Sequence, residues 1–282
     1  MRIGILGALP AEIKLIRRDF QFDDGSAIED NTVEIAGREF VFGRLYGQDA
    51  VLALSGIGKV AAATASTIML TKFARDVLIF VGVAASVSRD ASERHDLAAE
   101  GEYGETPAPR VGDIVVANAL LQHDFDATPI YPSKFHIPSA GGALLECDPA
   151  LTTMCVEAAK AFVEEDLEAE IEPEVLTSFG IAKPHVFEGL IISGDRFIDD
   201  RAELAVIASA VTEAVPDSPP LAIEMEGAAM AQVAIEFGVP FAVVRVISDD
   251  AGENAAFDFV RFVQGVSAYY SRGIVRRLME RM

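Results

Sequence analysis

The chain has 282 residues, of which 51% are hydrophobic, and its formal net charge at pH 7 is −21. That apolar fraction can fill a sizeable core and excludes a disordered chain, while the acidic charge repels nucleic acid and anionic lipid. The longest apolar run, around Val77 to Val87, is shorter than the roughly 20 residues that span a bilayer. We therefore expect no nucleic-acid or membrane partner, and a small molecule as the ligand.

Short runs rich in Val and Ile alternate with longer Ala-rich amphipathic stretches, which is typical of an α/β fold in which helices cover a sheet. Predicted strands are Arg2 to Ala8, Glu39 to Leu45, Ala50 to Ser55, Val77 to Val83, Asp113 to Ala117, Glu188 to Ser193, Leu221 to Ile223 and Phe241 to Ile247. Predicted helices are Ala11 to Asp19, Lys59 to Phe73, Ala150 to Glu164, Arg201 to Ala210, Glu226 to Phe237 and Phe257 to Arg281.

The domain organisation predicted from this pattern is a single domain over residues 1–282, because no linker or internal repeat interrupts it. A closed (β/α)₈ barrel is the competing architecture at this length. Residues 88–110 are polar and have no apolar period, which predicts an exposed insertion. The opening run from Met1 to Ile16 lacks a signal-type cleavage site, which favours a cytoplasmic protein.

Metal and disulfide chemistry are not indicated. Cys147 and Cys155 do not form a disulfide framework or a zinc motif, so we interpret them as reduced packing residues. The histidines show no metal-ligand spacing, and they are His95, His123, His136 and His185. The HDFD motif from His123 to Asp126 is more typical of a structural strand end than of a catalytic group. No metal and no cofactor are expected.

The sequence SGIGKVAAA, from Ser55 to Ala63, follows a predicted strand and opens a predicted helix. Gly56 and Gly58 allow a tight turn that presents backbone N–H groups to an anion or a hydroxyl. The spacing does not fit a P-loop, because Val60 stands where Ser or Thr should follow the lysine. Simple packing of the helix is the alternative explanation.

Two carboxylates, Glu224 and Glu226, lie in the otherwise apolar run LAIEMEGAAMAQVA. Burying an unpaired carboxylate costs several kcal/mol, so each must have partners or a function. Glu226 either caps the helix that begins there or takes part in chemistry, where the positive end of the helix dipole would favour its ionised form.

A second acidic group ends the apolar stretch PFAVVRVISDDAG, which contains Arg245 and continues to Ser248, Asp249 and Asp250. In parallel sheets, ligands bind at the carboxyl ends of the strands. A buried arginine needs a carboxylate partner, and Glu12, just after the first strand, is a candidate. Capping of the next loop is the alternative role for the two aspartates.

Several stretches occur in an order that resembles the purine nucleoside phosphorylase / uridine phosphorylase superfamily, and in particular its 5′-methylthioadenosine / S-adenosylhomocysteine nucleosidase branch. They are GILGALPAEIKLI, SGIGKVAAA, VGDIVVA, GLIISGDRFI, AIEMEGAAMAQVA and VPFAVVRVISDDAG. The resemblance implies a three-layer αβα sandwich with a mixed, partly barrel-like central sheet, and a homodimer.

The resemblance also implies roles for individual residues. Glu12 would activate the attacking water, which Arg245 would help to position. Asp249, oriented by Ser248, would protonate adenine N7. Implied substrate contacts are Glu226 with the ribose hydroxyls, Met225 with the sugar, Phe197 and Ile198 with the purine, and also Ile57, Ala84 and Phe257.

Cleavage of an N-glycosidic bond suits such a set of acids. The reaction passes through an oxocarbenium-like state, so the site needs a proton for the leaving base, an anion near the sugar and a positioned water. Glu12, Glu226 and Asp249 can supply these functions. Asp249 must then hold a proton near neutral pH, which burial and neighbouring negative charge can achieve by raising its pKa.

Two departures from the resembling enzymes bear on the substrate. Val83, Ala84, Ala85 and Ser86 replace a Ser-Ala-Gly-Gly segment, which removes a polar side chain. Ile130, Tyr131 and Pro132 stand where an aromatic residue usually reaches the neighbouring subunit. The 5′ substituent of the nucleoside therefore stays open.

The loops that bind phosphate in the phosphorylases read ALPAE and VGVAAS here and contain no basic residue, which favours water as the nucleophile. The resulting hypothesis is a hydrolase of adenine nucleosides, 5′-methylthioadenosine and/or S-adenosylhomocysteine, with a role in methionine salvage. Futalosine hydrolase, a nucleoside phosphorylase and a non-catalytic nucleoside-binding protein are the alternatives.

Overall fold

The computed structural model describes residues 1–22, 25–87, 108–131 and 133–282. Within them the strands are β1 (Arg2–Gly7), β2 (Thr32–Ile35), β3 (Arg38–Leu45), β4 (Gln48–Leu54), β5 (Val77–Ser86), β6 (Ile114–Gln122), β7 (Leu145–Glu146), β8 (Val186–Ser193), β9 (Pro220–Glu224) and β10 (Phe241–Asp249). The α-helices are α1 (Pro10–Arg18), α2 (Lys59–Phe73), α3 (Pro149–Ala161), α4 (Leu167–Glu170), α5 (Pro173–Ser178), α6 (Arg201–Ala214), α7 (Gly227–Phe237), α8 (Ala255–Gly265) and α9 (Ser267–Met279).

The strands form one mixed sheet, part of which closes on itself. β5, β10, β6, β8 and β9 pair in a ring, because β10 pairs with β5 as well as with β6. From β5 the sheet continues outward through β1, β4, β3 and β2. In the ring, β10 with β6 and β5 with β9 are antiparallel pairs. The predicted mixed, partly barrel-like α/β fold is confirmed, and the competing (β/α)₈ barrel is wrong.

Helices cover both faces of the sheet because successive side chains of a strand point to opposite faces. Along β5, Ile79 and Val81 pack into one buried cluster together with residues of α1, α3 and α9. Leu78 and Phe80, which alternate with them, pack into a second cluster together with residues of α2 and α7. The sheet is thus the middle of three layers, as the resemblance implied.

The predicted elements differ from the observed ones mainly at exposed or interrupted segments. The helix expected from Phe257 to Arg281 is two helices, α8 and α9, which separate at Val266, where φ is −130°. Gly265, the last residue of α8, contacts the ring of Phe179, and a side chain at this position would crowd that ring. The edge strand β2, the two-residue β7 and the short α5 were not predicted, since each is too short or too exposed to show a clear period.

The predicted insertion at 88–110 lies almost entirely outside the described residues. The Ser86 hydroxyl, just before this segment, donates to the carbonyl of Pro109 near its end at 2.5 Å. The organisation of residues 1–282 as one domain stays a prediction. Of the helices in the described ranges, none combines the length and the apolar character that crossing a membrane requires.

Candidate active site

A cavity of about 250 Å³ opens at the carboxyl ends of strands of the barrel and of its neighbours β1 and β4. The loops after β1, β4 and β8 line it together with the ends of β5, β9 and β10. The predicted site residues among its lining residues are Glu12, Ile57, Ala84, Phe197, Ile198, Met225, Glu226, Ser248 and Asp249. Arg245 and Phe257 are not among them.

Glu12 stands in the first turn of α1, directly after β1, and is only 2% exposed. Its Oε2 accepts hydrogen bonds from the backbone amides of Ala8 at 2.9 Å and Leu9 at 2.8 Å. Its Oε1 accepts one from the Val83 amide at 3.1 Å. Burial raises the pKa of Glu12, while the Arg245 charge and the three amides oppose that shift. The carboxyl group is therefore held in one position at the wall of the cavity.

Arg245 is fully buried in β10, and its partner is Glu224 rather than Glu12. Its Nη2 donates to Glu224 Oε2 and lies 3.6 Å from Glu226 Oε2, and its guanidinium lies 4.5 Å from the centre of the Phe80 ring. Glu12, the candidate partner, makes no direct ion pair with Arg245; its oxygens accept from backbone amides, and the two groups interact only through their charges. β9 and β10 both pair with β5, and this brings Glu224 to the arginine.

Glu224, and not Glu226, caps the N-terminus of α7. Its carboxylate accepts from the Gly227 amide at 2.8 Å and from the Glu226 amide at 3.1 Å, and it also accepts from the Ser193 hydroxyl. Ser193 in turn accepts from the Ala228 amide at 2.8 Å. Glu226 is the residue before α7 and makes no side-chain capping bond. Its carboxyl group is thereby left to face the cavity.

The Glu226 carboxylate instead binds the turn of the SGIGKVAAA motif. Its Oε1 accepts from the Gly58 amide at 2.8 Å, and Gly58 has a φ of +93° that favours glycine. The turn thus presents an N–H group to an oxygen acceptor, and that acceptor is a carboxyl group of the protein itself. Burial, together with the charge of Glu224, raises the pKa of Glu226 to about 8. The helix N-terminus therefore does not keep this carboxyl group at its ordinary pKa.

Asp249 ends β10 and is 2% exposed. Its Oδ2 accepts from the Ser248 hydroxyl at 2.8 Å, and its Oδ1 accepts from the Ala251 amide at 3.0 Å. Burial, assisted by the charges of Asp250 and Asp258, raises the pKa of Asp249 to about 6. This is the direction that a proton donor near neutral pH requires.

The chain has counterparts among known proteins over nearly its whole length. A sequence model of the phosphorylase superfamily matches residues 2–280.

The chain belongs to that superfamily.

A 5′-methylthioadenosine/S-adenosylhomocysteine nucleosidase of Geobacillus thermodenitrificans is 32% identical to it over 279 residues, which cover 99% of this chain and 96% of that protein. An S-adenosylhomocysteine nucleosidase of Streptococcus pyogenes, solved in complex with 5-methylthiotubericidin, superposes with a TM-score of 0.76 at 26% identity and covers 100% of this chain and 97% of that one. A futalosine hydrolase of Helicobacter pylori superposes with a TM-score of 0.71 at 26% identity, covering 100% and 98%.

In this member of the phosphorylase superfamily, the aromatic wall of the cavity differs from the prediction at one residue. Phe257 is 68% exposed and does not line the cavity, whereas Phe259 of the same helix does. Residues two apart on a helix point in nearly opposite directions, so only one of them can face inward. The rings of Phe259 and Phe197 meet edge to face, with centroids 5.4 Å apart.

Of the two segments that depart from the resembling enzymes, the one at residues 83–86 lines the cavity, whereas Ile130 and Tyr131 of the other do not. Val83 and Ala85 line the cavity, and Ser86 turns its hydroxyl to Pro109, so this segment adds no hydroxyl group to the site. Ile130 is exposed and is not among the lining residues, while Tyr131 stacks on His136. Pro132 lies outside the described residues.

Sequence reasoning missed several residues of the site. Glu224 was noted as a buried carboxylate but was not assigned to the site, although the buried Arg245 indicated that a second acid was needed. Ser193, which donates to Glu224, was not noted. Arg196 also lines the cavity, and its guanidinium pairs with Glu203 at 2.6 Å. No pattern in the sequence indicated Arg196.

Proposed function

We propose that the protein hydrolyses the N-glycosidic bond of an adenine nucleoside, 5′-methylthioadenosine and/or S-adenosylhomocysteine, to adenine and the free ribose derivative. The observation that carries the proposal is the meeting of Glu12, Glu226 and Asp249 at one cavity, with the pKa of Asp249 raised to about 6. The nucleosidases among the relatives and solved structures support the choice of substrate.

In the proposed reaction, the bond between C1′ of the sugar and N9 of the purine breaks while Asp249 gives its proton to N7. Glu226 accepts hydrogen bonds from the ribose hydroxyls as positive charge develops on the sugar. Water attacks C1′, and its proton passes to Glu12. Exchange of protons with solvent then restores both acids. Arg245 acts through Glu224 and Glu226, since it does not line the cavity.

Hydrolysis is favoured over phosphorolysis by the charges at the cavity. Among the described residues that line it, Arg196 is the only lysine or arginine, and Glu203 pairs with it. A phosphate ion placed beside Glu12 would meet a carboxyl group, and the nearby charge of Arg245 is already taken up by Glu224.

Release of adenine is therefore expected to proceed at the same rate with and without millimolar phosphate. The control is potassium chloride at matched ionic strength, which separates a phosphate requirement from salt screening. A dependence on phosphate, with a ribose 1-phosphate derivative as the product, would place the protein among the phosphorylases.

Glu226→Ala is expected to lower kcat/KM by roughly one to two decades, because leaving a buried ribose hydroxyl without its hydrogen-bond partner costs about 1–3 kcal/mol. The wild type should also discriminate against 2′-deoxy substrates. The measurement compares wild type and variant on matched ribo- and 2′-deoxyribonucleosides.

The substrate pair provides the internal control for this variant. If Glu226 reads the 2′-hydroxyl, the mutation costs more on the ribonucleoside than on its deoxy counterpart. An equal loss on both substrates would show that Glu226 stabilises the Gly58 turn and does not bind the 2′-hydroxyl of the sugar.

The test of the whole proposal is a substrate panel with detection of the free base. We expect adenine from 5′-methylthioadenosine and S-adenosylhomocysteine. Futalosine belongs in the panel because the Helicobacter pylori futalosine hydrolase superposes over the full chain. Hypoxanthine released from futalosine alone would favour that second function, and binding without release of any base would support a non-catalytic nucleoside-binding protein.

The proposal extends to a cytoplasmic homodimer that serves methionine salvage. Light scattering after size-exclusion chromatography measures the assembly state.

A further inference from the structure

Three residues outside the cavity join two of the loops that line it. The Lys59 backbone amide donates to Asp195 Oδ1 at 2.8 Å, and Lys59 Nζ donates to Asp124 Oδ1 at 2.5 Å. The Asp195 backbone amide donates to Asp124 Oδ2 at 3.0 Å. Each residue therefore bonds to both of the others. We refer to Lys59, Asp124 and Asp195 as the loop clamp.

The loop clamp lies next to the residues that face the ligand in the proposed function. Lys59 follows Ile57 by two residues, and Asp195 precedes Phe197 by two residues. Ile57 and Phe197 line the cavity, whereas the three clamp residues do not. The clamp therefore determines how far apart the two loops stand without occupying the space of the substrate.

The same turn also carries a direct connection to the proposed sugar site. Gly58 and Lys59 supply consecutive backbone amides, of which the first binds Glu226 at 2.8 Å and the second binds Asp195 at 2.8 Å. A shift of the turn that breaks the second bond moves the donor of the first. The clamp and the Glu226 carboxylate are thus coupled through one peptide unit.

The clamp is supported by neighbouring groups on the barrel. Lys59 Nζ also donates to Gln122 Oε1 at 3.3 Å, and Gln122 Nε2 donates to Gln232 of α7 at 2.8 Å. The His123 ring packs so closely on Gly194 that a Cβ there would overlap it. Partial burial works against the charge of Asp124, yet the hydrogen bonds from Lys59 and the Asp195 amide hold its pKa below the ordinary value.

A solvated ion-pair cluster is the alternative explanation, since exposed salt bridges contribute only about 0–1 kcal/mol. Two features argue against it. Two of the three ring bonds have a backbone amide of a cavity loop as donor, so the carboxylates hold the main chain itself. The Lys59 side chain is only 16% exposed, and this limits its alternative conformations.

We propose that Lys59, Asp124 and Asp195 are positioning residues that set the spacing between the Ile57 loop and the Phe197 loop, and thereby the affinity for the nucleoside. This inference rests on the proposed function, because it assigns the nucleoside to the cavity. The two loops bind the ground state and the transition state alike, so losing their spacing raises KM more than it lowers kcat.

The test is Asp124→Ala, which removes two bonds of the ring. KM for 5′-methylthioadenosine is expected to rise roughly tenfold, with kcat within about threefold of the wild type. The matched control is Asp126→Ala in the same segment, whose carboxylate accepts from the Thr128 amide at 2.9 Å within its own turn. Its KM should equal that of the wild type.

Amide hydrogen exchange provides a readout that does not depend on turnover. Without nucleoside, residues 56–60 and 194–198 should exchange faster in Asp124→Ala and at the wild-type rate in Asp126→Ala. If Asp124→Ala does not fold, Lys59→Met replaces it as the test variant. Methionine keeps the apolar part of the lysine side chain and removes the ammonium group, and KM and amide exchange are measured in the same way.

A wild-type KM and wild-type exchange in these segments would overturn the clamp. A lowered melting temperature with an unchanged KM would also overturn it, since that result assigns the residues to stability alone. If the wild-type protein releases no base from any nucleoside, the proposed function fails. Exchange in the two segments still tests the loop spacing in that case, and unchanged exchange would refute it.

Discussion

Glu12→Gln is expected to lower kcat for adenine release by about 10²-fold or more, the scale of general-base catalysis, while KM changes little. Glutamine keeps the length of the side chain and an acceptor oxygen for the Ala8 and Leu9 amides. It cannot accept the proton of the attacking water. The measurement is steady-state kinetics with detection of free adenine.

Two controls separate lost chemistry from lost structure in this variant. The glutamine amide must face either the Val83 amide or the Ala8 and Leu9 amides, so some loss of stability is expected and the melting temperature should be recorded. The dissociation constant for the nucleoside should stay near the wild-type value. A kcat within about threefold of the wild type would remove Glu12 from the mechanism.

Asp249→Asn is expected to lower kcat by about 10²- to 10⁴-fold, because an amide cannot protonate the leaving base. Asparagine otherwise reproduces the protonated acid: its oxygen can accept from the Ala251 amide, and its nitrogen can donate to the Ser248 hydroxyl. That hydroxyl lies 3.3 Å from the Ala84 carbonyl, which can accept its proton. The kinetic loss should therefore occur without a loss of folding.

The same substitution should stabilise the unliganded fold at neutral pH. The pKa of Asp249 is raised from 3.8 to about 6, so the folded state binds the proton more tightly than the unfolded state does. The associated stability is present below pH 3.8 and is lost as the pH rises through about 6. Asparagine never ionises, so its advantage over the wild type should grow across this window to at most about 3 kcal/mol. Urea unfolding at several pH values measures it.

The neighbouring Asp250→Asn is the matched control. Asp250 pairs with Arg201 at 2.6 Å, and its charge contributes to the raised pKa of Asp249. We expect this variant to retain kcat and to move the alkaline fall of kcat/KM to lower pH, since Asp249 then loses its proton more easily. An Asp249→Asn enzyme with wild-type activity below pH 6, where the wild-type Asp249 holds its proton, would show that another group protonates the base.

Much of the layered fold can be predicted because buried strands and helices have recognisable local patterns of apolar residues and glycines. β5 and β10 are covered on both faces and consequently read as nearly continuous apolar runs. α2 and α7 are bounded by Gly58 and Gly238, whose positive φ values suit helix ends. The exposed β2 has no such apolar run, and the Phe179 ring that packs on Gly265, just before the break between α8 and α9, is distant in sequence.

The acids of the candidate site were predictable for a similar reason. Glu12, Glu226 and Asp249 each follow an apolar strand, and the carboxyl ends of strands converge in this kind of sheet. Residue type and position along a strand are local properties that the sequence alone determines. The raised pKa of Asp249 was expected from its place in an apolar run, and burial in the folded protein is its main cause.

Which acid pairs with Arg245 was decided only by the tertiary structure. Closure of the barrel through the pairing of β10 with β5 brings Glu224 to the arginine, and β8 adds Ser193 beside it. The Glu224 carboxylate thereby accepts from the first backbone amide of α7, and the Glu226 side chain remains free to line the cavity. Such assignments depend on distances between strands that are remote in sequence, and electrostatic and hydrogen-bond energies fall steeply with distance. Sequence spacing therefore determined which acids are available in this protein, and the closed barrel determined which partners each of them has.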